Sequence, residues 1–418
     1  MSGTAAQKTY YFPLMCDHVH ILAAAFRADG QPAVVMAPSN DETLALGLAQ
    51  CGGRECAPCV FVSGDLVRLT RQPDFDPERA VLFMVTSSGS CRFGQYVTLL
   101  RHILDRLGLQ QVEITGPTVN DAYQGLGKNP LRMRRLIWEG AVAVDLLQKL
   151  LHSYRPYERE PGAADAAYER CLAAVVAATE AGGGRALVAA MEQAARVFAE
   201  LPVDRQRRRP LIGIVGEIYL RHNRYGNLDL VRRVEALGGE VDLAPIIEWL
   251  YYANWRFDDT CRVRGQPLAR ARMALIDRYQ RMLEHRLARP VAHLLDHPHE
   301  TPIPRLMRYV EPYYSTDLGN ECLLSIGKAV ELAHLGVCGV INVMPFSCMP
   351  GIITAAIAPR LRVDLDQLPW LDIAFDAQGG TNLTTRLEAF MYQAAEFQAR
   401  RGASDRNRGQ PGVLSAEV

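Results

Sequence analysis

The sequence carries no standing charge: 46 Lys and Arg balance 46 Asp and Glu across 418 residues. Phosphate-backbone binding wants a basic excess on one face. The one tight basic run, "DRQRRRP" at Asp204 to Pro210, reads as a solvated linker, so no nucleic-acid partner is expected. Also missing is any uninterrupted apolar stretch near the ~18 residues of a membrane span. The opening "MSGTAAQKTYYFPLM" has no basic region followed by an apolar one. These absences predict a cytoplasmic protein with no membrane partner. The familiar loops are absent as well: there is no G-x-G-x-x-G, no G-x-x-x-x-G-K-[ST], no G-x-S-x-G and no H-E-x-x-H. The nearest look-alikes, "SIGKAV" at Ser325 and "GLGKNP" at Gly125, lack the first P-loop glycine and read as helix punctuation or turns.

What is present is a large apolar complement, 49% of residues with 22% charged, in a chain longer than one ordinary core holds. Strand-type runs alternate with helix-period segments. "TYYFPLM", "AVVMAPS" and "AVLFMVTSSGS" are each followed by a helical pattern, and Val97, Leu100, Leu104 and Leu107 share one helix face. Strand then helix, repeated, means a parallel α/β sheet. An Ala- and Leu-rich block from about Leu131 to Leu201 reads as helix broken at "RPYEREPGAAD" and "GGGR". A second α/β unit follows, with strands in "RPLIGIVGEIYL", "GGEVDLAPI", "GVCGVINVMPFS" and "LPWLDIAFDAQGG". The expected fold is therefore α/β, with two Rossmann-like (flavodoxin-like) parallel-sheet domains and a helical middle segment. The first domain spans 1–205 and includes the helical block, the second spans 206–398, and the small, polar, Arg-rich residues 399–418 form a flexible tail.

Ten cysteines in a chain without a leader argue against a disulfide scaffold and leave metal binding or burial. Cys91 in "VTSSGSCRFG" and Cys348 in "VMPFSCMPG" each follow an apolar strand and precede a helix. In a parallel sheet that is the carboxyl edge, where ligands bind. The free N–H groups of the following helix also favour a thiolate or an anionic cluster there. Cys56, in a Gly-rich turn before "CVFVSGDLVRL", occupies the same kind of place. Cys171, Cys261, Cys322 and Cys338 read as packing cysteines.

Cys51, Cys56 and Cys59 form C-x4-C-x2-C, and Cys91 follows after 31 intervening residues, which imitates plant-type ferredoxin ligation. That pattern belongs to a small β-rich domain with a long loop, whereas Cys59 here would be carried into a helix; a structural zinc site on the same cysteines is a further alternative. Glu217, Tyr219 and Asn223 in "GEIYLRHN" follow a strand and suit either the cleft or turn and cap roles. His18 and His20 in "DHVH", two apart, would point to different faces of a helix.

In combination, "GRECAPCVFVSGDL", "SSGSCRFGQY", "RPLIGIVGEIYLRHN", "NVMPFSCMPG" and "TNLTTRLEAFM" resemble the family of 2-hydroxyacyl-CoA dehydratases, benzoyl-CoA reductases and double-cubane cluster proteins. More narrowly, the chain resembles the dehydratase-like module found beside, or fused to, acyl-CoA dehydratase activases. The similarity covers nearly the whole chain. It implies a [4Fe-4S] cluster, or half of a sulfide-bridged double-cubane [8Fe-9S] cluster, held by Cys56, Cys91 and Cys348. Cys16, at the end of "YYFPLMC", is the best-placed additional ligand; Cys51, Cys59 and Cys322 also depart from the family pattern.

The resemblance further implies a cluster in the interdomain cleft, with hydrogen bonds from backbone N–H groups, Ser90 and Ser347 setting its potential. It implies a separate ATP-dependent activase as electron donor, and a pair of subunits, either a homodimer or a heterodimer with a dehydratase-like subunit. The expected activity is a difficult reduction or a reductively initiated dehydration. The alternatives are a subunit of a true 2-hydroxyacyl-CoA dehydratase and a non-catalytic cluster carrier or electron-transfer scaffold.

Overall fold

The structure, a computed structural model, describes residues 7–86, 91–116, 128–377 and 382–408. The first half runs β1 (Thr9–Phe12), α1 (Val19–Ala28), β2 (Ala33–Val35), α2 (Asp41–Gln50), α3 (Ala57–Thr70), β3 (Ala80–Phe83), α4 (Tyr96–Arg106) and β4 (Glu113–Thr115). Three long helices follow, α5 (Pro130–Tyr154), α6 (Ala163–Glu180) and α7 (Arg185–Ala199). Their breaks fall at Pro156 and Pro161 and at the glycine run, where Gly182, Gly183 and Gly184 all have positive φ. The second half begins with β5 (Leu211–Gly216), α8 (Ile218–His222), α9 (Leu230–Ala236), β6 (Glu240–Leu243), α10 (Ile246–Val263), α11 (Pro267–Ala288), α12 (Ile303–Val310) and α13 (Cys322–His334). It closes with β7 (Gly339–Pro345), α14 (Met349–Asp364), β8 (Trp370–Phe375) and α15 (Leu383–Arg408). That last helix continues past Ala399, into the stretch the sequence predicts as a flexible tail.

Each half builds a four-stranded, all-parallel sheet, and the two have the same order: β2-β1-β3-β4 and β6-β5-β7-β8. This is the doubly wound arrangement expected from strand and helix alternation, with a topological switch between β1 and β3 and again between β5 and β7. β7, "GVINVMP", is buried along its whole length, as a central parallel strand covered on both faces must be.

One apolar core joins the sheets: Leu82 and Met84 of the first half belong to the same buried cluster as Ile212, Ile214, Val340 and Val343 of the second. A second core belongs to the helices. Leu147 of α5, Tyr168 of α6 and Phe198 of α7 pack with Tyr251, Leu287, Leu306 and Ile326 from the second half. Trp138 meets Tyr251 edge to face, ring centroids 4.8 Å apart. The helical middle block is thus packed against both halves. Among the described residues no helix is long and apolar enough to cross a membrane.

Candidate metal centre

The shared strand order fixes where the carboxyl-edge turns of the two sheets fall. After the first strand of each sheet come Cys16 (β1) and Glu217 (β5); across each switch come Cys91 (β3) and Cys348 (β7). Cys91 and Cys348 therefore hold equivalent positions in the two halves. Cys56 differs from expectation. Its turn joins two helices, α2 and α3, so it is a helix-to-helix turn rather than the strand exit the sequence predicts. Those helices cross closely because Gly64 has no side chain: a Cβ there would stand 1.9 Å from the Thr43 carbonyl oxygen.

All three cysteines are N-caps in extended backbone. Cys56 caps α3, Cys348 caps α14, and Cys91 caps the 3₁₀ turn Arg92–Gln95 that leads into α4. Cys91 Sγ accepts a hydrogen bond from Phe93 N at 3.5 Å. Cys56 Sγ and Tyr96 Oη are hydrogen-bonded at 2.8 Å. Arg92 binds the two turns together by donating from Nη1 to the Arg54 carbonyl, 2.6 Å.

The three thiols, each half-buried, share one electrostatic neighbourhood. Burial pushes the Cys348 thiol up to about 12, with Glu217, Cys56 and Glu321 adding to the rise and the Gly351 N–H opposing it. Cys91 is likewise raised to about 12, by burial first and then by Glu321, Glu217 and Cys348, against the Phe93 N–H. Cys56 is raised by burial and by Glu217, while Tyr96, the Cys59 N–H and Arg92 pull the other way. Helix N-termini favour thiolates, but burial wins here, so the bare site holds neutral thiols.

Glu217 caps α8, accepting from Tyr219 N (3.0 Å) and Leu220 N (2.8 Å). Burial raises its carboxyl pKa, with the two N–H groups and Arg221 opposing. Its placement depends on Gly216, where φ is +113° and a Cβ would lie 2.0 Å from the Val343 carbonyl oxygen. Glu321, also raised by burial, precedes α13 and acts on Cys91 and Cys348.

Cys16 has different charged neighbours. It lies beside His18, Tyr168, Tyr219 and Arg221. His18 Nε2 meets Asp145 Oδ1 at 3.0 Å; burial would lower this imidazole, but the Asp145 carboxylate overrides it and holds it up at about 10. Asp145 also accepts from Ile246 N (3.1 Å) and Ile247 N (2.9 Å) at the start of α10. Asn223 donates to the Leu14 and Met15 carbonyls, 3.3 Å each, pinning the β1 exit to the second half. Tyr219 stacks on Phe61 at 6.3 Å. Asn223 and Tyr219 are therefore packing and tethering residues.

Ser347 is exposed with φ +61°; Ser90 lies outside the described residues. Cys171, Cys261, Cys322 and Cys338 are buried, in keeping with packing roles, and all ten cysteines are free thiols. The sequence reading missed three participants. Tyr96 sits in the quoted "CRFGQY" stretch, but nothing there marks its partner. Glu321 and Asp145 reach their places only through the packing of α13 and α5.

Among the described residues, no three His, Cys, Asp or Glu side chains close on a single metal ion. The donor chemistry of Cys56, Cys91 and Cys348 suits an iron–sulfur centre: three soft, half-buried sulfurs, each an N-cap with backbone N–H groups nearby. Iron would also reverse the thiol bias, because a coordinating thiol is deprotonated outright. No family model and no curated protein matches the chain.

Proposed function

We propose that this chain is an iron–sulfur protein of the 2-hydroxyacyl-CoA dehydratase, benzoyl-CoA reductase and double-cubane superfamily. It takes low-potential electrons from an ATP-hydrolysing activase for a difficult reduction or a reductively initiated dehydration. The observation that carries this reading is the pairing of Cys91 and Cys348 at equivalent turns of two like sheets, with Cys56 in the same electrostatic neighbourhood.

Cys56, Cys91 and Cys348 would hold a [4Fe-4S] cluster, or half of a double-cubane [8Fe-9S] cluster shared with a second subunit. Such a cluster supplies a low-potential electron and, with three protein thiolates, one iron open to another ligand. The chain's own groups do the rest. Tyr96 and the Phe93 and Gly351 N–H groups direct hydrogen bonds at the sulfurs. Glu217 and Glu321, their carboxyls raised by burial, stand beside the thiols.

Phe346, Met349 and Ile352, on the Cys348 turn and the first turns of α14, are exposed apolar side chains. Monomer surfaces seldom group such residues without a partner, and a second subunit is the occupant this reading assigns to them. The activase would dock near the Cys56 and Cys91 turns, in the cytoplasm.

The test is anaerobic purification with iron and sulfide analysis, followed by EPR with a ferredoxin donor, with and without activase and ATP. The reading requires bound iron and sulfide, and a reduced signal only when activase and ATP are both present. Full reduction by ferredoxin alone would make the chain a simple electron carrier. Absence of iron and sulfide would end the iron–sulfur reading.

A further inference from the structure

At the opposite, amino edge of the second sheet lies a cavity of about 380 Å³, within the size range of small-molecule sites. Its floor runs along β6, its wall is the last turns of α5, and its rim the 205–209 segment. The basic run is exposed from Asp204 to Arg208, as expected of a solvated linker, yet two of its arginines are anchored. Arg205 donates to the Ser153 carbonyl at 2.9 Å and lies over the Tyr154 and Tyr157 rings, at 4.6 and 5.2 Å. Arg209 donates to the Glu235 carbonyl at 3.4 Å and also lies over Tyr157, at 5.7 Å.

Carbonyls and ring faces position these two guanidiniums without neutralising them. Among the described residues neither they nor Arg208, which is exposed and also lines the cavity, form an ion pair with a carboxylate, whereas Arg155 nearby pairs with both Glu235 and Asp165. Glu240 feels the Arg205 charge, but three guanidiniums without a salt-bridge partner at one rim exceed what a single carboxylate uses. They match a dianion with three acceptor oxygens, which is a phosphate.

The interior has a different character. His152 is only 7% exposed, lines the cavity and has no side-chain hydrogen-bond partner among the described residues. Burial and the Arg155 guanidinium lower its imidazole to about 3, so it is neutral. Asp242 and Glu240 on β6, with Asp296 beside them, offer acceptors that would repel a second anion and suit hydroxyl donors.

We propose that this cavity binds a small phosphate ester with a hydroxylated body, its phosphate on the Arg205, Arg208 and Arg209 rim and its hydroxyls toward His152 and Asp242. The proposal is independent of the cysteine site. It is tested by calorimetric titration of the full-length protein with ribose 5-phosphate, glucose 6-phosphate, inorganic phosphate and ribose. At least one of the two esters should saturate one site per chain, inorganic phosphate should bind at least about tenfold more weakly, and ribose should give no heat. Arg208→Gln should weaken the ester about tenfold while leaving the melting temperature unchanged, since this exposed side chain has no partner among the described residues. Silence with both esters, an Arg208→Gln variant of unchanged affinity, or inorganic phosphate binding as tightly as an ester would overturn the proposal.

Discussion

Tyr96 Oη and Cys56 Sγ stand 2.8 Å apart, joining the helix after one cysteine turn to the cysteine of the other. The phenol is buried, only 5% exposed, and its ring meets Phe93 edge to face at 5.2 Å. A hydrogen bond to a ligating sulfur withdraws charge from it and raises the potential of the centre it holds. Tyr96→Phe keeps the ring and its packing and removes only the donor. Iron content should stay at the wild-type level while the midpoint potential moves negative. An unchanged potential would show that the hydrogen bond does not tune the site.

Replacing Cys56, Cys91 or Cys348 by Ser, one at a time, should strip or degrade the proposed cluster, as read by iron and sulfide per chain. Cys171→Ser, deep among the packing helices, should keep both. The opposite pattern, with full iron in the first three variants and loss in Cys51→Ser and Cys59→Ser, would restore the ferredoxin-type assignment.

The fold was legible where local pattern and burial agree. The strands read from "TYYF", "AVLF" and "GVINVMP" are apolar runs with turn residues after them, and the structure has them as β1, β3 and β7. β4, only Glu113–Thr115, carries no apolar run of its own and is made a strand by pairing with β3. The same distinction governs the site. Cys91 and Cys348 could be placed because a strand exit is a local signal. The Cys56 turn, Tyr96, Glu321 and Asp145 could not, because their neighbours come from elements tens of residues away.

Asp145 illustrates a cost that only three-dimensional packing sets. It is 3% exposed and serves a buried imidazolium and two backbone N–H groups at once. Asp145→Ala should therefore destabilise the protein by about 3–5 kcal/mol, the usual penalty for stripping the partner from a buried pair. Urea denaturation would measure it. A loss below about 1 kcal/mol, within the range of an exposed pair, would mean that water replaces the carboxylate.

The last prediction concerns Lys328, whose Nζ lies 3.1 Å from Glu248, 3.0 Å from Glu300 and 2.9 Å from Glu331. One ammonium cannot satisfy three buried carboxylates equally. Burial would raise Glu300, but Lys149 and Lys328 together hold it down at about 2. Glu248 has the weaker share: burial lifts it, Lys328 opposes, and Glu300 and Glu331 add to the rise, to about 7. An unfolded glutamate titrates near ~4.3. Between that value and 7 the folded chain keeps a proton that the unfolded chain has lost, so this group's contribution to stability falls as pH rises through the window and stays low above it. Glu248→Gln removes the titration while leaving Glu300 and Glu331 on Lys328. Relative to wild type, the variant should gain stability between pH 5 and pH 8, by on the order of 2 kcal/mol. Urea midpoints at the two pH values give the difference directly. A variant whose offset from wild type is the same at both pH values would mean that Glu248 is ionised throughout and is a full partner of Lys328.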